Sequence, residues 1–127
     1  MFGDDFILAL CIWREARGEG SDGMQAVGCV IRNRVTQHKT SYYQEVTKPW
    51  QFSSITAKGD PELSVYPMIG DTQWALIQAM VPAIIDGTLA DNTGGAQFYY
   101  ATTIPLPSWA ASMTQTCQIG KQVFYKP

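Results

Sequence analysis

The sequence predicts an α+β domain, mainly helical, with a small antiparallel β-hairpin. Three observations predict it. Apolar residues recur at helical spacing in three stretches, 4–17, 23–35 and 72–86. Strand-like runs are short, 96–100 and 122–125, and each follows a glycine turn signal. The 127 residues, 46% hydrophobic and 16% charged, suit one globular domain spanning 1–127.

The first helix is expected from Asp4 to Arg17, capped by Asp4 or Asp5 and stopped by a left-handed Gly18. Phe6, Leu10 and Trp13 form one stripe, and Leu8, Cys11 and Ile12 another. A helix apolar on most faces belongs at the centre of a core. The second helix is expected from Gly23 to Val35, with Asp22 and Gln25 as a capping box. Its core stripe is Met24, Val27, Ile31 and Val35. Gly28 inside it costs about 1 kcal/mol relative to alanine, which points to a close helix approach.

Residues 36–70 read as irregular apart from a helical turn near Tyr42–Val46. A connection of this length in a compact domain usually carries function. The third helix is expected from Thr72 to Asp86, kinked or interrupted at Pro82 and ended by Gly87. Gly94-Gly95 turns the chain into a strand, Ala96–Tyr100. Pro105-Leu106-Pro107 leads to a short helix near Ser108–Met113, and Gly120 opens the last strand, Gln122–Tyr125. The two strands are expected to pair antiparallel.

Charge and patterning exclude several functions. A net charge of −2 gives no field for nucleic acid. The longest apolar run, Phe6–Trp13, is far short of the roughly 20 residues of a membrane span, so no membrane insertion is expected. Asp4 and Asp5 stand where a signal peptide needs Lys or Arg, which predicts synthesis in the cytoplasm. Cys11, Cys29 and Cys117 are odd in number and lack a CxxC pair, so reduced thiols are expected. With His38 as the single histidine no metal site is expected, Cys29 in mid-helix and Cys11 inside an apolar run do not suit an activated thiolate, no nucleophile elbow marks a Ser–His–Asp triad, and no cofactor is expected.

Glu15 stands out on physical grounds. It shares the face of Cys11 and Leu8 and occupies the last helical turn. Partial burial and the negative end of the helix dipole both favour a protonated carboxylic acid, the form a general acid needs. The alternative is an ion pair with Arg14, Arg17 or an arginine of the second helix. Possible second carboxylates are Glu19, Glu45, Asp60, Glu62 and Asp71, and no spacing selects one. Trp50, Phe52, Tyr99, Tyr100 and Trp109 lie in loops or short strands where a sugar could stack, although each also suits a core. Gln51 and Ser53 flank Phe52 with hydrogen-bonding groups.

Several blocks occur in a telling order: Glu15-Ala16-Arg17-Gly18-Glu19-Gly20, Gly23-Met24-Gln25-Ala26-Val27, Val30-Ile31-Arg32-Asn33-Arg34-Val35 and Gln51-Phe52-Ser53. Gly95-Ala96-Gln97-Phe98-Tyr99-Tyr100-Ala101, Pro107-Ser108-Trp109-Ala110, Ile119-Gly120 and Val123-Phe124-Tyr125 follow. Over about residues 12 to 125 this order resembles the cell wall hydrolase family of the bacterial spore cortex-lytic enzymes, which includes phage relatives. The resemblance implies a lysozyme-like fold of the lytic transglycosylase type and action on peptidoglycan glycan strands. It places the family's essential glutamate on Glu15. Gln97 and Lys121-Gln122 depart from it, since many members carry histidines there.

The expected function is cleavage of the β-1,4 bond between N-acetylmuramic acid and N-acetylglucosamine, with Glu15 as general acid and base and 1,6-anhydro ends as product. Gln51, Phe52, Ser53, Gln97, Tyr99, Tyr100 and Trp109 are the expected glycan contacts. The alternatives are a muramidase-type hydrolase with a second carboxylate and a non-catalytic glycan-binding module. A bare catalytic domain, monomeric and without a leader, looks like a phage endolysin released by a holin to act on the cell wall.

Overall fold

The computed structural model describes residues 3–49 and 51–127, so the stacking candidate Trp50 lies outside the described residues. Five α-helices are present: α1 (Asp4–Ala16), α2 (Gly20–His38), α3 (Tyr42–Val46), α4 (Ser53–Thr56) and α5 (Thr72–Ile85). Three strands follow, β1 (Phe98–Ala101), β2 (Thr114–Ile119) and β3 (Gln122–Lys126).

Helix α1 is central, as its double stripe requires. Leu8 through Arg14 and Ala16 are all buried, against α2, α3 and α5. Its start differs from expectation. Neither Asp4 nor Asp5 caps it; Asp4 instead accepts from the Tyr43 backbone N–H at 3.1 Å and ties α3 to α1. Gly18 is not left-handed. Gly20 is, at φ 77°, and it starts α2 three residues earlier than expected. The turn between the helices is thus tighter than a stop at Gly18 would allow, and Asp22 lies inside α2 rather than capping it. The far end of α2 reaches His38, where Lys39 closes it at φ 56°.

Gly28 marks the predicted close approach. A Cβ there would stand 2.5 Å from Ile84 Cδ1 and 3.2 Å from Ile12 Cδ1, so α1, α2 and α5 meet at this point. Asp71 caps α5 by accepting from the Trp74 N–H at 2.9 Å. The helix runs through Pro82, whose ring is exposed, so the lost N–H removes one helical bond on the solvent side.

The sheet has the order β1-β3-β2 and is antiparallel throughout. The two expected strands do pair, with Tyr99 opposite Phe124, but the hairpin joins β3 to β2. Strand β2 escapes the sequence pattern because Thr114-Gln115-Thr116-Cys117-Gln118 is polar and partly exposed, and a bulge at Thr116 breaks its alternation. Gln122 to Tyr125 are buried consecutively because β3 is central. Phe124 packs on Ala26 and Val30 of α2, while Val123 and Tyr125 face Ala110. The expected irregular region is more ordered than predicted: α4 and a 3-10 turn at Pro61–Ser64 divide it. Ser108–Ser112 is likewise a 3-10 helix.

Gly28→Val should destabilise the fold by about 1–3 kcal/mol, the usual penalty for an overpacked core. Urea unfolding followed by circular dichroism checks this. An unchanged midpoint would mean that Ile12 and Ile84 yield freely.

Candidate active site

Glu15 occupies the last turn of α1, and its neighbour Arg14 organises what faces it. Arg14 is buried, yet each nitrogen finds a carbonyl. Nε donates to Val65 at 3.1 Å, Nη1 to Ser54 at 2.9 Å and Nη2 to Leu63 at 3.2 Å. Its guanidinium also lies 4.8 Å from the Tyr66 ring centroid. One side chain therefore fastens the 54–65 segment to the end of α1. The consequence is a contact at Glu15: the Ser54 hydroxyl donates to Oε2 at 2.5 Å.

The second contact comes from the sheet. The Tyr99 hydroxyl donates to Glu15 Oε1 at 2.8 Å, and its ring packs on Phe124 at 5.6 Å between centroids. Burial, and then the Glu15 charge, push the Tyr99 phenol well above its ordinary range. It therefore stays a neutral donor near neutral pH. Burial, and then Glu15, likewise push the Cys11 thiol well up, which leaves it protonated and inert.

The ion-pair alternative for Glu15 does not occur among the described residues. Arg14 bonds carbonyls, Arg17 pairs with Glu62 at 2.5 Å, Arg32 donates to the Ile84 carbonyl at 3.4 Å and Arg34 to that of Gln97 at 2.6 Å. Both Glu15 oxygens are held by hydroxyls instead.

Glu15 opens into a cavity of about 350 Å³. Four further candidates from the sequence line it: Gln51, Phe52, Tyr99 and Trp109. Val30, Arg34 and Phe98 line it as well. Arg34 was missed, although it falls three residues after Ile31 on the buried face of α2. A charge on an apolar stripe was the available signal. Ser54 was missed in favour of Ser53. In a helical turn successive residues point about 100° apart. Ser53 is accordingly exposed and borders a separate depression with Pro49, Thr56 and Lys58.

Strand alternation separates the two tyrosines. Tyr99 faces Glu15, whereas Tyr100 stacks on Tyr125 at 6.1 Å, meets Trp109 edge-on and does not line the cavity. The Gln97 side chain lines a different depression with His38 and Lys126. None of the possible second carboxylates lines the cavity. Glu19 packs against Gly23 at the start of α2. Glu45 is fully buried and bonded to Thr40, His38 and Lys48. Burial alone would raise its carboxyl, but these three donors outweigh it and hold the group below its ordinary value. Asp60 accepts from the Glu62 N–H, and Asp71 from the Trp74 N–H and Trp13 Nε1. Among the described residues, no three His, Cys, Asp or Glu side chains gather as a metal site would require.

A helical domain that presents one hydroxyl-clamped carboxylate in an aromatic-walled cavity has the build of a glycan-cleaving enzyme. The profile of the cell wall hydrolase family matches residues 18–125, and the chain belongs to that family of enzymes degrading the bacterial cell wall. Its fold matches the catalytic domain of the germination-specific lytic transglycosylase SleB from Bacillus anthracis, with a TM-score of 0.75 and 27% identity. That match covers 97% of this chain and 93% of the other. The catalytic domain of Bacillus cereus SleB matches with a TM-score of 0.74 and 28% identity, over 97% and 89%. The chain shares the fold of these domains, five helices with a small antiparallel sheet among the described residues. No curated protein sequence matches the chain significantly.

Ser54→Ala and Tyr99→Phe should each lower turnover on purified peptidoglycan by about 10-fold, since each removes one hydrogen bond that positions the Glu15 carboxyl group. Ser53→Ala, alongside, should leave turnover within about 2-fold because Ser53 touches neither Glu15 nor the cavity; that margin is under 0.5 kcal/mol. Equal losses from Ser53 and Ser54 would contradict the placement of α4.

Proposed function

We propose that the chain is a lytic transglycosylase that cleaves the β-1,4 bond between N-acetylmuramic acid and N-acetylglucosamine. The observation that carries this reading is that Glu15 is the single carboxylate lining the cavity among the described residues. Hydrolysis with a second carboxylate needs two carboxyl groups flanking the bond, about 5–9.5 Å apart. Glu45, Asp60, Glu62 and Asp71 are bonded elsewhere, and Glu19 lies beside Gly23 and Gly120, outside the cavity lining.

One carboxyl group suffices for an intramolecular transfer. Protonated Glu15 gives its proton to the glycosidic oxygen as the bond from that oxygen to the muramoyl C1 breaks. N-acetylglucosamine leaves as an alcohol. The muramoyl 6-hydroxyl oxygen then bonds to C1, and the Glu15 carboxylate takes the hydroxyl proton. Glu15 ends as it began, and no water is consumed. The ring oxygen shares the positive charge that develops at C1, and the nearby carboxylate stabilises it. Attack from within the same sugar avoids the entropy of positioning a separate nucleophile, an advantage of up to about 7–11 kcal/mol in well-oriented systems.

Tyr99 and Ser54 hold the two oxygens so that one carboxyl face meets the leaving oxygen and then the 6-hydroxyl. Phe98 and Trp109, each half-buried, supply apolar faces for sugar rings, the buried Phe52 backs the cavity wall, and Gln51 supplies an amide for the polar edges of the sugars. The SleB similarity supports the same chemistry, since the Bacillus anthracis protein is described as a germination-specific lytic transglycosylase.

Digestion of purified peptidoglycan, borohydride reduction and mass spectrometry test the proposal. The expected muropeptides end in 1,6-anhydro-muramic acid, resist reduction and are lighter than hydrolytic products by about the mass of one water. Reducible muramic acid ends as the main product would instead require a water-activating carboxylate and sink the transglycosylase reading.

A further inference from the structure

Among the described residues Arg34 is the one cation that lines the cavity, and its environment differs from that of Arg14. Both are buried, Arg34 at 6% exposure and Arg14 at 8%. Every Arg14 nitrogen bonds a carbonyl. Arg34 uses only Nε, which donates to the Gln97 carbonyl at 2.6 Å. Among the described residues its Nη1 and Nη2 have no hydrogen-bond partner, and it enters no ion pair. Its guanidinium lies 4.6 Å from the Phe98 ring centroid and 5.9 Å from that of Phe52, so two cavity-wall rings fix its plane.

The Arg34 side chain is largely withdrawn from water, yet neither Nη atom is a buried atom left without a partner, so both keep donor capacity for a polar group. Burial pushes Arg34 down from its ordinary value, but an arginine stays charged in proteins. The fold thus holds a fixed cation that lines the same cavity as Glu15, with two donor nitrogens unpaired among the described residues. We propose that Arg34 binds substrate directly, its Nη donors holding an acyl carbonyl oxygen of the muramoyl unit; the inference rests on the glycan-cleaving function proposed above.

The chemistry narrows the acceptor. A planar fork of N–H donors suits a planar oxygen acceptor. The muramoyl unit offers two, the 2-acetamido carbonyl and the acyl carbonyl of the 3-O-lactyl group. Positive charge develops at C1 during cleavage, and a cation close to C1 would oppose it. The lactyl carbonyl, on C3, is farther from C1 than the acetamido carbonyl on C2, so charge favours the lactyl group. This contact would also distinguish muramoyl strands from polymers of N-acetylglucosamine alone.

The test uses a Glu15→Gln background, which binds without turnover, and calorimetry with two tetrasaccharides. One alternates N-acetylglucosamine and peptide-bearing N-acetylmuramic acid; the other is chitotetraose, which has acetamido groups but no lactyl group. Adding Arg34→Gln should raise the muramoyl ligand's Kd by at least about 10-fold, the loss of hydrogen bonds to a charged donor. Arg34→Lys, which keeps charge but not the fork, should raise it by at least about 3-fold. An unchanged chitotetraose Kd assigns the lactyl carbonyl, and a parallel loss assigns the acetamido carbonyl. Melting temperatures are measured alongside, and Arg34→Lys carries the test if Arg34→Gln does not fold. An unchanged muramoyl Kd in folded Arg34 variants overturns the inference and leaves the proposed function standing. Failure of the Glu15→Gln protein to bind the muramoyl ligand overturns both.

Discussion

The three hydrogen bonds from the Arg14 guanidinium to the carbonyls of Ser54, Leu63 and Val65 are the constraint on which the site depends. A buried arginine is tolerated when its donors are met, and carbonyls at the ends of short helical turns, with no partner of their own, need donors equally. Each solves the other's problem. The arrangement turns a segment with little regular structure into a fixed wall. That wall brings the Ser54 hydroxyl to Glu15, one residue along from the arginine that anchors it. Adjacent residues on α1 thus divide the labour: Arg14 fixes the surroundings and Glu15 faces the cavity.

The rest of the fold serves the same point. Gly28 lets α2 approach Ile12 of α1 and Ile84 of α5, which seats the carboxylate-bearing helix in the middle of the core. The central strand β3 carries Phe124 against α2 and holds β1 in register, so that Tyr99 reaches Glu15 from across the chain. Three distant segments, the end of α1, the 51–54 stretch and β1, therefore converge on one carboxyl group. Glu45 shows the contrasting use of a carboxylate. It sits among Thr40, His38 and Lys48, ties α3 to the end of α2 and has no exposure to solvent.

Much of this was legible in the sequence. The dense apolar patterning of 6–13 marks a buried helix, and Glu15 at its end stands out because a carboxylate there breaks the pattern. Gly28 announced a close approach by its helical cost. Other features were hidden for physical reasons. Strand β2 presents polar residues and a bulge, so it lacks the alternation that reveals strands. Ser53 and Ser54 are indistinguishable until α4 is known to be helical. Tyr99 and Tyr100 both look suited to stacking, yet a strand sends them to opposite faces. Arg34 reads as part of a basic, solvated helix unless its place on the stripe of Val27 and Ile31 is weighed. Local periodicity exposes elements, whereas the partners of a buried charge emerge only from tertiary packing.

The most direct measurement is turnover of purified peptidoglycan by Glu15→Gln, read beside its melting temperature and circular dichroism. The amide keeps the shape of the side chain and can still meet the Tyr99 and Ser54 hydroxyls, but it cannot give and recover a proton. The predicted result is a folded protein with turnover reduced by at least about 100-fold, as expected when a general acid that also serves as base is lost. A folded Glu15→Gln protein with turnover near that of the parent would contradict the role of Glu15 and the reading of the cavity built around it.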